Sequence, residues 1–458
     1  MPLPRSTHLF FRRAGVLALL LTSMIGGVAC TAGRFADDPQ RSLPPPVVGK
    51  LAAPAVGKAG CSATACHGGP APSLTSAPAH GCWQGSATHW QACDPHQRAY
   101  SLLTSNPTRP LRGSVSAADM MKKLGWDRKA TEEERCLACH TTPALATKGP
   151  VELRSEGVSC SACHGNADAW QFTHTARTGR PVAGMTQLND LGVRAKTCAG
   201  CHVGAAADAG VPVRDVNHDM IAAGHPRLEF DFAEHHRRIP KHWLERDRTI
   251  PSAPPRQVSE EQLWFIGRVV HAEATCELLV SRTARVERQD PRLNSPWPEF
   301  AEFRCSSCHH HIPDHTRTRN RPRWQSIWPL TVSDDKKIIA LRELSDLMDT
   351  KWPVKADKVG EKANSAATQL REWRNKLAKP TVPINVGRFF PNVVDPQIDP
   401  EDFEAILYGL AARQRSKEFN GPDNMFADAF KFVREWKRSG AQSEKARSQL
   451  NGLLTPPR

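Results

Sequence analysis

Four times in this chain, two cysteines separated by two residues are followed at once by a histidine. The segments are Cys136-Leu137-Ala138-Cys139-His140, Cys160-Ser161-Ala162-Cys163-His164, Cys198-Ala199-Gly200-Cys201-His202 and Cys305-Ser306-Ser307-Cys308-His309. Two thiols at this spacing reach the two vinyl groups of one haem and form thioether bonds. The adjacent histidine then lies beneath the porphyrin as an iron ligand. A fifth segment, Cys61-Ser62-Ala63-Thr64-Ala65-Cys66-His67, has four residues between its cysteines. It reads as a variant of the same site with a looped-out spacer, against a structural disulfide beside an incidental histidine. The expected cofactor is haem c in five copies, four of them on regular motifs.

Zinc is the chemical competitor. Cys136/Cys139 and Cys160/Cys163 fall at zinc-ribbon spacing. A ribbon, however, has no need of a histidine after each second cysteine, and every pair here has one. The remaining cysteines are few. Of 14 in all, ten belong to the five motifs and Cys30 falls in a processing site. Cys82 and Cys93 could close a small disulfide loop. Cys276 lies in an amphipathic helical stretch, where a buried thiol is expected.

Arg5, Arg12 and Arg13 precede an apolar run from Ala14 to Ala29, the layout of an export signal. The run is shorter than the roughly 20 residues needed to span a bilayer. Two outcomes stay open: lipid attachment at Cys30, giving a membrane anchor, or cleavage after Ala29 or Ala32, releasing a soluble chain. Either puts the mature protein in the periplasm or on the outer face of a bacterial membrane, where stray thiols are disfavoured.

Composition is otherwise that of a globular chain, with 40% hydrophobic and 24% charged residues, so wholesale disorder is excluded. Aromatics reach only 7%. Covalently held porphyrins are large apolar discs and can supply the missing core. The formal charge of +14 includes three arginines in the signal, which leaves +11 on the mature chain. Each haem adds roughly −1 when ferric, and many basic residues can pair with its propionates. No nucleic-acid motif accompanies the basic balance, and export argues against such a partner.

The 19 histidines far outnumber the five motifs. Context selects four as candidate second ligands. His96 lies in Asp94-Pro95-His96, a turn entering a helix. His174 follows Trp170 by four residues. His218 and His225 flank Asp219–Gly224, and Gly224-His225-Pro226 sets the second of them on a stiff corner. His271 falls in a helical stretch with a core or surface role, while His310, His311 and His315 crowd the last motif. His80, His89, His235, His236 and His242 lack distinguishing context and default to structural or surface roles. Two imidazoles on one iron make a low-spin electron carrier, whereas an open position can bind a small molecule.

These residues resemble the cytochrome c-554 type of multihaem cytochromes. The likeness rests on the clustered motifs and on Asp94-Pro95-His96. It also rests on Gly157-Val158-Ser159-Cys160 running into Cys163-His164-Gly165, with Trp170 and His174 beyond. Asn217-His218 and Ala223-Gly224-His225-Pro226-Arg227-Leu228 complete it. It covers residues 58–235, and Phe300-Ala301-Glu302-Phe303 resembles the terminal haem segment of longer relatives. The resemblance implies a mostly helical, loop-rich fold with closely stacked haem pairs that passes electrons between periplasmic partners. It also implies His96, His174, His218 and His225 as distal ligands. Three departures leave the haem pairing order open: the long first spacer, five sites instead of four, and a long C-terminal region.

The chain therefore reads as mainly α. A signal at 1–32 and a Pro/Ala/Gly-rich tether at 33–60 precede a loop-rich multihaem cytochrome c domain at 61–330 with stacked haems. A helical C-terminal region at 331–458 follows. Leu263, Ile266, Val270, Ala274 and Leu278 share one face of a helix near 258–286. Further helices are expected near 334–350, 357–378, 400–418 and 424–438, with Asp334, Asp399 and Asp423 as caps. Neither Cys nor His occurs beyond His315. The expected function is electron transfer between redox protein donors and acceptors. The alternative is a multihaem oxidoreductase acting on a small nitrogen or sulfur compound at a five-coordinate haem, so no catalytic residue is assigned.

Overall fold

The computed structural model describes residues 60–70, 83–104, 115–175, 182–208, 210–228, 230–243, 245, 258, 260–288, 297–303, 308–309, 339–350 and 354–377. The signal, Cys30, Cys82, Cys305 and the two last expected helices lie outside them. The described part is mainly α and rich in loops. Pairing of β type is confined there to two isolated antiparallel bridges, Ala205 with Arg214 and Asp208 with Val211.

The motif-bearing half is built from short helices. They are α1 (Ser86–Cys93), α2 (Ala117–Lys123), α3 (Glu134–His140), α4 (Val151–Arg154), α5 (Cys160–His164), α6 (Leu191–His202), α7 (His218–Ala223) and α8 (Phe232–Arg238). Short polar side chains start several of them. Ser116, Asp190, Asn217 and Asp231 each accept a hydrogen bond from a backbone N–H one turn in, satisfying donors that the helix itself leaves free. The hydrophobic cluster in the front part is small: Leu103, Met121, Ala130, Leu137, Ala138 and Ala146, with Tyr100 and Trp126 against it.

Two glycines permit close approaches at the motifs. Gly224 ends α7 at φ 123°, and a Cβ there would sit 2.5 Å from Val115 Cγ2. The helix can therefore stop abruptly at His225, whose N–H bonds back to the Met220 carbonyl. Gly157, at φ 75°, brings the chain entering α5 against the backbone of His96; a Cβ there would meet the His96 carbonyl oxygen at 2.6 Å.

The larger core lies behind these segments. Helix α9 (Glu260–Glu287) packs against α6, α8 and α11 (Ala356–Leu377), while α10 (Ile339–Thr350) packs on α11. Leu263, Trp264, Phe265, Ile266, Val269, Val270 and Leu279 of α9 are all buried. A helix apolar around most of its circumference must be covered on several sides, and α9 is. The expected buried thiol, Cys276, is fully enclosed here. The helices expected at 258–286 and 357–378 match α9 and α11 to within two residues.

Charge also ties this core together. Glu273 of α9, with no exposed surface, pairs with Arg374 and Arg371 of α11 and with Lys196 of α6. Asp215, Arg282, Arg285 and Glu302 form a second buried cluster, with Asp215 gripped by both arginines and Arg282 also bound to Glu302. The arginine charges hold the Asp215 carboxyl at about 2 against the opposing effect of burial. Arg227 bonds the carbonyls of Ala301 and Phe303, and Glu299 accepts the His218 N–H. The segment leading to the last motif is thus fixed to α7.

Candidate haem-binding site

Every motif histidine faces a second histidine from elsewhere in the chain. The ring centres of His67 and His174 are 6.2 Å apart, those of His140 and His225 6.4 Å, and those of His164 and His242 6.1 Å. His202 and His96 are separated by 6.2 Å, and His309 and His218 by 6.3 Å. Two imidazoles on opposite sides of one metal, at about 2.0–2.1 Å per bond as in zinc–imidazole sites, would put their ring centres roughly 6.3 Å apart. A direct ring contact is much closer: His235 touches the His202 ring edge at 4.4 Å. The five separations fit a shared metal between the rings.

The histidines are also held by the nitrogen that a metal would not use. His140 Nδ1 donates to the Ala99 carbonyl at 2.8 Å, His174 Nδ1 to Gln171 at 2.5 Å and His225 Nδ1 to Pro226 at 2.7 Å. His67 Nδ1 lies 2.9 Å from Ser86 Oγ. His96 Nδ1 donates to the Asp94 carboxylate at 2.8 Å. Anchoring Nδ1 turns Nε2 toward the space between the rings and fixes the tautomer, the usual support of a ligating histidine. Burial raises Asp94, but the bond and charge of His96 outweigh it, and its carboxyl lies below the usual range.

All four histidines selected by context, His96, His174, His218 and His225, face a motif histidine. The fifth partner is His242, for which the sequence suggests only a structural or surface role. Its ring hydrogen-bonds the Pro240 carbonyl and stacks edge-on with Trp243 at 5.3 Å. Trp243 Nε1 donates to Glu245 Oε1, which also accepts from Arg194 at the start of α6 and lies 3.1 Å from His236 Nε2. This tertiary network places His242, and no local motif announces it. His271 instead packs against Phe230 at 6.0 Å, and burial pushes it down to about 3.

The cysteines sit beside these rings. Cys61 and Cys160, from the first and third motifs, are in hydrogen-bonding contact, as are Cys139 and Cys201 from the second and fourth. Burial pushes Cys136 and Cys163 up to about 12 and Cys198 to about 11, an environment suited to a neutral sulfur such as a thioether. Among the described residues no three or more His, Cys, Asp or Glu gather as a metal cluster, the arrangement that a zinc ribbon requires. The described cysteines form no disulfide among themselves.

Residues 79–165 match the family model of cytochrome c554 and c-prime. The match makes this stretch similar to c-type cytochromes of that family and covers less than half of the chain. It contains His96 and the motifs at 136–140 and 160–164, residues that also carry the resemblance seen in the sequence. Covalently bound haem c and redox partners are what that family implies. The other three motifs lie outside the match. No curated protein and no solved structure matches the chain. Among the described residues no helix is long and apolar enough to cross a membrane.

Proposed function

We propose that this chain is an exported pentahaem electron carrier, with each haem bound by one cysteine pair and two histidines. Site 1 takes Cys61, Cys66, His67 and His174. Site 2 takes Cys136, Cys139, His140 and His225. Site 3 takes Cys160, Cys163, His164 and His242, and site 4 takes Cys198, Cys201, His202 and His96. Site 5 takes Cys305, Cys308, His309 and His218. The observation that carries this reading is the common spacing of 6.1–6.4 Å in all five imidazole pairs.

Bound haem supplies a one-electron ferric/ferrous couple whose potential depends on axial ligands, hydrogen bonding and burial. The two histidines of each pair would hold a haem iron from both sides, leaving no open position, which favours a carrier over a reductase of small molecules. They also arrange the attachment segments in a contact order. Sites 1 and 3 meet at Cys61 and Cys160, and sites 2 and 4 at Cys139 and Cys201. Cys163 of site 3 lies near Cys198 and Cys201 of site 4. Helix α7 joins sites 2 and 5, with His218 at one end and His225 just past the other. The order is thus 1–3–4–2–5, with sites 1 and 5 as the ends for soluble or membrane redox partners.

A pyridine haemochrome assay on the purified holoprotein should give five haems per chain, and EPR of the native ferric protein should show all of them low-spin. A ratio of four would remove Cys61/Cys66 from the reading, and a high-spin ferric population would restore the oxidoreductase alternative.

A further inference from the structure

Of the ring-nitrogen contacts described for His67, His96, His140, His174 and His225, that of His96 meets a full negative charge. His140, His174 and His225 donate Nδ1–H to backbone carbonyls, and His67 neighbours a hydroxyl. His96 donates to Asp94 Oδ1 at 2.8 Å. The same oxygen accepts the His96 backbone N–H at 2.9 Å, so the carboxylate is fixed in place by two bonds from one residue. Asp94 is 4% exposed, and among the described residues no lysine or arginine pairs with it. Its charge acts most directly on the His96 ring, through the hydrogen bond, and more weakly through space on His242 of site 3.

We propose that Asp94 is a positioning residue that makes site 4 a low-potential point inside the carrier, between sites 3 and 2. The inference rests on the reading that His96 and His202 share one iron. A carboxylate that accepts the Nδ1–H gives the ring partial imidazolate character and makes Nε2 a stronger donor. Stronger donation stabilises the ferric over the ferrous state and lowers the potential relative to a ring bonded to a neutral carbonyl. When one electron from a redox partner reduces the ferric centre, the proton stays shared between Nδ1 and Oδ1, and no bond is made or broken. An electron crossing from site 3 to site 2 must pass this less favourable site, so Asp94 governs how freely the two halves exchange charge.

Asp94→Asn isolates the charge, because the amide oxygen can still accept both bonds. Potentiometric titration of the holoprotein should show one of five components moved most to higher potential, with a smaller rise at site 3 and the haem ratio and low-spin count unchanged. Asp94→Glu should bring that component back toward its original value. Five haems with no upward shift in Asp94→Asn, or an equal shift in every component, would overturn the proposal.

A measurement on the unmodified protein stands beside these variants. With aspartate labelled by ¹³C at the carboxyl carbon, redox-difference infrared spectra should show a label-sensitive carboxylate change with the lowest-potential component. The lack of any such change would count against the role of Asp94. His96→Ala tests the underlying pairing by spin state: one low-spin centre should become high-spin. An unchanged low-spin count sinks the pairing and the proposal together. A converted centre with unmoved Asp94→Asn potentials sinks the Asp94 role alone.

Discussion

At the scale of single residues, His242 separates what the sequence could reveal from what it could not. His96, His174, His218 and His225 stand in local contexts that fix a backbone: a Pro turn, a Trp one helical turn upstream, a helix start, a Gly-Pro corner. His242 has only Pro240 and Trp243 nearby, and its position depends on Arg194 and Glu245, 48 residues before it and three after. Tertiary contacts of that kind leave no periodic trace. His242→Ala should leave five haems attached, since Cys160 and Cys163 are intact, and turn one low-spin ferric centre high-spin. The ferric absorption and EPR spectra check this directly; an unchanged low-spin complement would refute the assignment of His242. Glu245→Gln should have a weaker effect of the same kind, because one amide cannot hold Arg194, His236 and Trp243 together. Burial raises Glu245, but its bonds to His236 and Arg194 prevail and hold the carboxyl well below its usual range.

Among elements, α7 is the most constrained for its size. Six residues separate two proposed ligand positions, and the stop at Gly224 combines a positive φ with a gap too small for a Cβ. Gly224→Ala should cost about 1–3 kcal/mol from backbone strain alone. Crowding of Val115 adds to this. Thermal melts followed at the Soret band and by far-UV circular dichroism measure the loss. The damage should appear first at sites 2 and 5, whose ligands His225 and His218 the helix carries. The long helices α9 and α11 are the easiest elements to read, because an apolar face repeated over many turns survives any tertiary context. The very short α4 and α5 have no side-chain cap at their starts, and α5 is little more than the motif itself; hydrophobic periodicity registers neither.

For the whole molecule, the two halves are built on different principles. The front has short helices and only a small apolar cluster beside the histidine pairs, as expected of a chain whose interior porphyrins would fill. The back is a conventional helical core tied by buried charge. Beside Glu277 of α9, Asp215 should contribute a defined share of that core's acid sensitivity. The folded-state carboxyl at about 2 lies below the unfolded value of roughly 3.9, so its contribution is complete above that value and lost as pH falls toward 2. A carboxyl held that far below its ordinary value stabilises the fold by about 2–3 kcal/mol. Urea midpoints measured between pH 5 and 2 should fall over that window, and Asp215→Asn should start lower and flatten the fall. A slope unchanged by the substitution would assign the acid sensitivity elsewhere.

The proposed ligand pairs also carry a consequence for the order in which the protein can be made. A chain emerging from its amino terminus presents each attachment motif at a definite moment. His96 precedes its partner motif at site 4, and His218 precedes the motif at site 5. Both irons can therefore find a second imidazole as soon as haem is attached. Sites 1, 2 and 3 have no such luck in timing: His174, His225 and His242 follow their motifs by 107, 85 and 78 residues. Their irons must wait, with one coordination position open, until distant chain arrives. Closing such long loops is slow. Maturation should thus pass through a species with all its early haems attached but only partly ligated, recognisable in pulse-chase samples by transient carbon monoxide binding.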